Sequence, residues 1–376
     1  EAGRSLGLGP WGSFFRVSLP LARPAVVAGT ALALMETLAD FGTVAYFGVQ
    51  TFTTGIYRAW FSMGDRIAAA QLSASLLAFV ILVLLLERAS RGRARFNNTS
   101  RSAARPVRKR LSPAAGALAA FACFMPLFLG FLLPGFLLLK MALVEGDAQF
   151  GARFIDLARN SFVLAAVTAV LAVVLAVLLA YAARLARSRL PEMLNRIVAL
   201  GYAVPGSVIA VGVLIPVTRL DNQIAAAWEA AFGVNPGLML TGGIAALVYA
   251  YLSRFLTVAL HSVESSLGKI TPNMDDASRS MGYGKWATLG RVHVPILRGS
   301  LLTAGLLVFV DVMKELPATL VMRPFNFDTL ATQAHTLAAD ERLTEASTAA
   351  LTIVAVGLLP MFIISRQIVR GERVST

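Results

Sequence analysis

Eight separate stretches of the chain, at about residues 22–46, 67–86, 114–139, 160–183, 197–217, 238–260, 299–320 and 346–365, are continuously apolar over close to twenty residues each. A bilayer core about 30 Å thick is crossed by roughly 20 apolar residues in helical form. The runs are rich in Ala, Leu and Val and do not alternate with polar residues, so helices are expected and sheet is not. Pro126, Pro134, Gly201, Pro205, Gly206 and Pro216 lie in or beside these runs. Buried membrane helices tolerate such residues, chiefly by packing closely on neighbours. The chain is 57% hydrophobic and 15% charged, against about 25% charged in soluble domains. The expected fold class is therefore an all-α, polytopic transmembrane helix bundle.

The basic residues sort by side. Segments 1–23, 88–110, 184–196, 262–298 and 366–376 hold 24 Lys and Arg, and the alternate segments 47–66, 140–159, 219–237 and 320–345 hold 8. Strict alternation of eight spans puts all the rich segments on one face, which the positive-inside rule makes the cytoplasm. The net charge of +13 is thus accounted for by topology, and no nucleic-acid partner is implied. Segment 88–110, with nine basic residues and no acid, reads as a polar linker between two halves. The single cysteine, Cys123, excludes a disulfide framework and a four-cysteine zinc site. His261, His293 and His335 have no ligand spacing, so no metal site, cofactor or catalytic constellation is expected.

Residues 1–23 and 276–298 are copies of one another. At a constant offset of 275, ten of 23 positions are identical, among them Gly7/Gly282, Gly9/Gly284, Trp11/Trp286, Arg16/Arg291 and Pro20/Pro295. In each copy an acidic residue (Glu1, Asp276) stands in a helical stretch. Gly7 or Gly282 is expected to break the helix, and Gly9 or Gly284 to allow a tight turn. A second helical stretch then leads through proline into a span. Such an element cannot cross a bilayer, but it can present a surface to a partner, and two copies suit a two-lobed partner. Four spans precede the second copy and none the first. The chain starts without Met inside a motif, so it reads as a fragment, with eight spans of an expected twelve in two pseudo-repeated halves. The expected domains are 1–87, the rest of the first half; 88–110, the linker; and 111–376, the second half with its loop at 262–298.

The pattern Glu1-Ala2-Gly3, Gly7, Leu19-Pro20 and its copy Asp276-Ala277-Ser278, Gly282, Val294-Pro295 resembles the cytoplasmic loop of permease subunits in binding-protein-dependent ABC importers. Both copies depart at the third position, and the second has Asp for Glu. The stretches Met35–Val44, Thr53–Arg58 and Asp311–Leu320 with Arg323-Pro324-Phe325 are similar to the fused two-half ferric iron permeases. The resemblance covers nearly the whole chain. It implies that Glu1, Ala2, Gly7, Asp276, Ala277 and Gly282 couple to two separate ABC ATPase subunits, that a periplasmic substrate-binding protein docks on the outer face, and that the protein sits in the bacterial inner membrane. It also implies that ATP is hydrolysed by the partner, and the chain contains no GxxxxGK[ST] phosphate loop. Thiamine, polyamine and aminophosphonate permeases share the general pattern. An ion-driven secondary transporter and a membrane enzyme are the competing classes. The first has no need of a repeated docking loop, and the second lacks a nucleophile–base set.

Ionisable residues inside spans are costly and point to function. Glu36 and Asp40 lie four apart, as do Asp311 and Glu315 at the same 275 offset, which predicts one helix face for each pair. Hard cations prefer oxygen ligands. The four carboxylates are expected either to face a translocation path or to pair with Lys314 or Arg254 and hold the bundle together.

Overall fold

The computed structural model describes residues 7–91, 111–144, 151–186 and 188–374, which are helical with short connections and contain no strand among them. Eight helices match the eight apolar runs. They are α1 (Leu19–Ala39), α2 (Arg66–Arg91), α3 (Pro113–Val144), α4 (Ala152–Leu185), α5 (Gly206–Phe232), α6 (Ala245–Leu267), α7 (Val294–Met313) and α8 (Leu343–Val374). Seven are long and apolar enough to cross a membrane, α7 as the run Lys285–Met313 that includes the turns leading into it. The first reaches that length only when the bent pair Trp11–Arg23 and Ala25–Ala39 is taken as one span. The bend is 59° and falls at Pro24, a residue type with no backbone N–H to continue the helical ladder.

Helices α4, α6 and α7 pack on each other to form the main core. Ala165, Ala169, Ala172, Ala176 and Ala180 are buried along one stripe of α4, and these small side chains let neighbouring backbones approach closely. A second cluster joins Ile56, Ala59, Ala69 and Leu76 to Val208 and Val211, tying α2 to α5. Helix α3 buries no residue of its apolar window and lies at the rim against α8, so its side chains are left for lipid.

Several expected boundaries move, and α5 runs on to Phe232, through most of the segment 219–237 expected as an outside loop. The span predicted from residue 197 begins at Gly206, because Gly201–Ala203 forms a separate 3₁₀ turn and Pro205 is the extended N-cap of α5. The runs 22–46 and 299–320 are each broken, at Asp40 and at Lys314–Leu316, into a long helix and a short one, Gly42–Tyr46 and Pro317–Met322. Segments 47–66 and 320–345, expected as outside loops, instead carry short helices, Phe52–Tyr57 and Leu330–Ala339. Each of these opens on a Thr-x-x-Thr capping box, Thr51 with Thr54 and Thr329 with Thr332. Both contribute buried residues, such as Ile56 and Leu330.

At Gly201 a Cβ would overlap the Ser253 carbonyl oxygen of α6. Gly201→Ala is predicted to destabilise the bundle by about 1–3 kcal/mol through overpacking. The measurement is the thermal unfolding midpoint of the solubilised protein, and an unchanged midpoint would show that this crossing has slack.

Candidate functional site: an intramembrane charged cavity and two repeated elbows

The two sequence copies share one backbone course. Gly7 has φ +75° and Gly282 φ +81°, the left-handed region that glycine enters without steric cost. A four-residue helix comes next in each, Pro10–Ser13 and Lys285–Thr288, then a five-residue π-type turn, Phe14–Ser18 and Leu289–His293, then α1 or α7 with proline in its first turn. Every boundary keeps the offset of 275. Gly284 differs from expectation. It is an extended N-cap, at φ −72° and ψ 171°, so the turn is made by Gly282 alone. Glu1 and Ala2 lie outside the described residues.

The second elbow is anchored from behind. Helix Pro272–Ser280 carries Asp275, which takes an Arg184 ion pair at 2.8 Å and a hydrogen bond from His293 Nε2 at 2.7 Å. Arg184 also donates to the Leu267 and Ile270 carbonyls at 3.0 and 2.9 Å. The Tyr181 hydroxyl reaches the Lys285 carbonyl, and Ser278 bonds Thr288 across the turn, both at 2.8 Å. Burial tends to raise the Asp275 pKa, but the Arg184 and His293 hydrogen bonds outweigh it and hold the carboxyl below its usual range. With the back of the elbow fixed in this way, Asp276, Ala277 and Gly282 face outward, beside Met281 and a Trp286 that is 72% exposed. Trp11, the matched residue of the first elbow, is 75% exposed.

The four intramembrane carboxylates come together. Glu36, Asp40, Asp311 and Glu315 line one cavity of about 450 Å³, along with Arg254, Lys314 and Tyr202. Apart from Arg23 at the start of the first run, the four acids and the two cations are the only Asp, Glu, Lys or Arg residues inside the eight apolar stretches. The charge that the sequence carries deep into the hydrocarbon converges on one place. The C-terminal ends of α1 and α7 meet at this cavity.

Within each acidic pair the two members differ, which corrects the expectation of one helix face. Helix α1 ends at Ala39 because Asp40 turns extended, at φ −64° and ψ 132°. Helix α7 ends at Met313, and a new short helix starts at Pro317, whose lack of a backbone N–H suits a first helical position. Asp40 and Glu315 therefore sit in the breaks and cap the short helices beyond them. Asp40 accepts from Thr43 N at 3.4 Å. Glu315 accepts from Ala318 N and Thr319 N at 3.1 Å each and pairs with Arg254 at 3.4 Å, its side chain only 2% exposed. Gly206 makes room for that pair, since a Cβ there would meet both side chains. Asp311 pairs with Lys314 at 3.1 Å. Glu36, exposed at the cavity, has no ion pair among the described residues. The internal pairing considered from sequence is present for Asp311 and Glu315.

A second cavity, of about 1190 Å³, adjoins the first and shares Phe41, Gly42, Lys314 and Leu316 with it. Gln50, Arg58, His335 and Glu341 of the segments expected outside line this larger space. His335 is half-buried and stacks on Phe41 with ring centroids 5.4 Å apart. Among the described residues no three His, Cys, Asp or Glu side chains are grouped to hold a metal ion. No local signal marks the Arg184–Asp275–His293 anchor, whose members lie up to 109 positions apart. The Thr-x-x-Thr boxes were open to detection, because the same spacing recurs in both halves.

Residues 1–95 match the family described as binding-protein-dependent transport system inner membrane component. Over 371 residues, 97% of this chain and 70% of the relative, the chain is 26% identical to the Fe(3+)-transport system permease protein FbpB 2 of Haemophilus influenzae. It is 23% identical over 342 residues to the putative ferric transport system permease protein FbpB 1 of the same organism, spanning 51% of that protein. A 104-residue stretch is 34% identical to the molybdenum transport system permease protein ModB of Escherichia coli K12, covering 45% of it. A solved bacterial ABC transporter involved in the import of the acidic polysaccharide alginate superposes with a TM-score of 0.51 at 16% identity, covering 68% of this chain and 96% of that one.

Asp275→Asn is predicted to loosen the anchored elbow by about 1–3 kcal/mol, the cost of leaving buried partners unsatisfied. Trypsin should then cut near Lys269, Arg279 and Lys285 faster in inside-out membrane vesicles. The same contribution in the unaltered protein is full above the ordinary carboxylate range and is lost as pH falls through the lowered Asp275 pKa. Equal cleavage rates would contradict the anchoring role.

Proposed function

We propose that this chain, a multi-pass membrane permease of the binding-protein-dependent ABC importer type, imports ferric iron from periplasm to cytoplasm through the bacterial inner membrane. The observation that carries the reading is the cavity where the charges of the apolar runs converge, four carboxylates against two cations, between the matched ends of α1 and α7. Its excess negative charge favours a cation. The lack of a chelating cluster among the described residues suits a site that must let its cargo go. The ferric permeases that align along almost the whole chain support iron as that cargo.

The chain divides into part of a first half (1–87), a linker (88–110) and a second half (111–376). The energy source lies outside it. Two ABC ATPase subunits hydrolyse ATP, and each grips one elbow, through Glu1, Ala2 and Gly7 in the first half and Asp276, Ala277 and Gly282 in the second. The second elbow runs as one helical stretch, Lys285–Met313, into α7, the first reaches α1 through the 59° bend at Pro24, and both helices end at the cavity. Displacement of the second elbow is therefore transmitted along one helix, about 1.5 Å of length per residue, to the carboxylates, and that of the first through the bend at Pro24. The larger neighbouring cavity opens toward the face where the periplasmic binding protein delivers cargo. The translocation path passes Glu36, Asp40, Asp311 and Glu315. Asp40 and Glu315 shape its wall as caps of the two breaks, while Glu36 and Asp311 present their charge.

Two measurements test this reading. Glu36→Gln is predicted to lower iron(III) uptake by about tenfold at unchanged membrane abundance, the effect of roughly 1.4 kcal/mol of lost charge interaction. Undiminished uptake would remove the path. Gly282→Val forces a branched side chain into φ +81°. It is predicted to cut recovery of co-expressed ATPase subunits on the solubilised permease while the permease still inserts. Full recovery would speak against the elbow as the gripping point.

A further inference from the structure

The two halves match in backbone but not in charge at the cavity. Counting by the offset of 275, Glu36 corresponds to Asp311 and Asp40 to Glu315, but Lys314 corresponds to Ala39. Both Ala39 and Lys314 line the cavity. The second half thus brings its own cation, three residues after its acidic member, and the first half brings none. The two cations of the cavity are also unlike each other. Arg254 is fixed, with a side chain only 13% exposed against the almost fully buried Glu315. Lys314 is 54% exposed and sits where the backbone leaves α7. Among the described residues its one ion pair is to Asp311 Oδ1, at 3.1 Å. It lines the larger cavity as well as the charged one.

We infer that Lys314 is a tethered counter-ion that occupies the cargo's place at Asp311 in the empty permease, and that cargo passes by exchanging with it. This rests on the carboxylate cavity being the cargo path. An entering trivalent cation meets Glu36, which no cation of the described chain pairs, and competes for Asp311. The displaced ammonium swings on its flexible stem toward the larger cavity that it already borders. When the cavity opens inward, the ammonium returns to Asp311 and drives the cation off. A tethered competitor acts at the high effective concentration of an intramolecular ligand, so it weakens binding without abolishing it and speeds release. The six charged groups give a net charge of −2, from four carboxylates and two cations. Without the lysine the cavity would be at −3 and would hold a trivalent ion in place. The long stem and single ion pair of lysine suit exchange, whereas a planar guanidinium making two parallel bonds would hold its carboxylate more firmly.

The test uses the full chain with its ATPase subunits in lipid nanodiscs and terbium(III) as a luminescent trivalent probe. Lys314→Met is expected to bind terbium about tenfold more tightly and to release it correspondingly more slowly. Lys314→Arg, which holds Asp311 more firmly, is expected to bind terbium more weakly than the unaltered protein, as is Glu36→Gln. The unfolding midpoint is measured alongside, because Lys314→Met takes from Asp311, 16% exposed, its ion pair. If Lys314→Met binds no more tightly than the unaltered protein while Glu36→Gln weakens binding, the exchange role is overturned and the path stands. If no substitution, Glu36→Gln included, alters terbium binding, the cation path falls and the exchange role with it.

Discussion

An ion in hydrocarbon must find a counter-charge, a backbone donor or water, and the cost of failing is several kcal/mol. That constraint organises this molecule. Six charged side chains are carried deep into the apolar stretches, and α1, α6 and α7 with their broken ends are arranged so that all six meet around one cavity. The main core, where the alanine stripe of α4 lets α6 and α7 close up, is the apolar frame that holds this small polar centre in place.

The helix breaks are what make the arrangement possible. A continuous helix satisfies its own backbone and offers nothing to a ligand. Where α1 and α7 stop, short helices begin, and their first N–H groups need acceptors. Asp40 and Glu315 supply them. The same acidic residue that stabilises the break also brings negative charge into the membrane, so structural and electrostatic roles coincide at one side chain. The buried Tyr251–Thr319 hydroxyl contact and the Arg254–Glu315 pair then lock the second break to α6. The first break is tied more lightly, by Thr53 donating to the Asp40 carbonyl at 2.6 Å.

The pseudo-symmetry is close in backbone and looser in side chains. Left-handed glycine, four-residue helix, π-type turn, span, break and short helix recur in order at one offset. The side chains at the cavity differ, and only the second half carries the cations, Arg254 and Lys314, so the two walls of the cavity are unequal in charge.

Much of this was legible in the amino-acid order. Span number, helical class and the paired elbows are local or periodic signals: twenty apolar residues in a row, ten identities at one offset. The acidic pairs were also visible, with their matched spacing. Local spacing misled on one point, because four residues apart means one helix face only while the helix continues, and the breaks before Gly42 and Pro317 stop it. The partners of those carboxylates lay beyond local reading. Arg254 meets Glu315 across 61 positions, and Asp275 draws Arg184 and His293 from two different helical segments. Such pairings are decided by which helices pack side by side, a property of the whole bundle. Tertiary packing alone made one cavity of six scattered charges and set Lys314 on the boundary between two spaces.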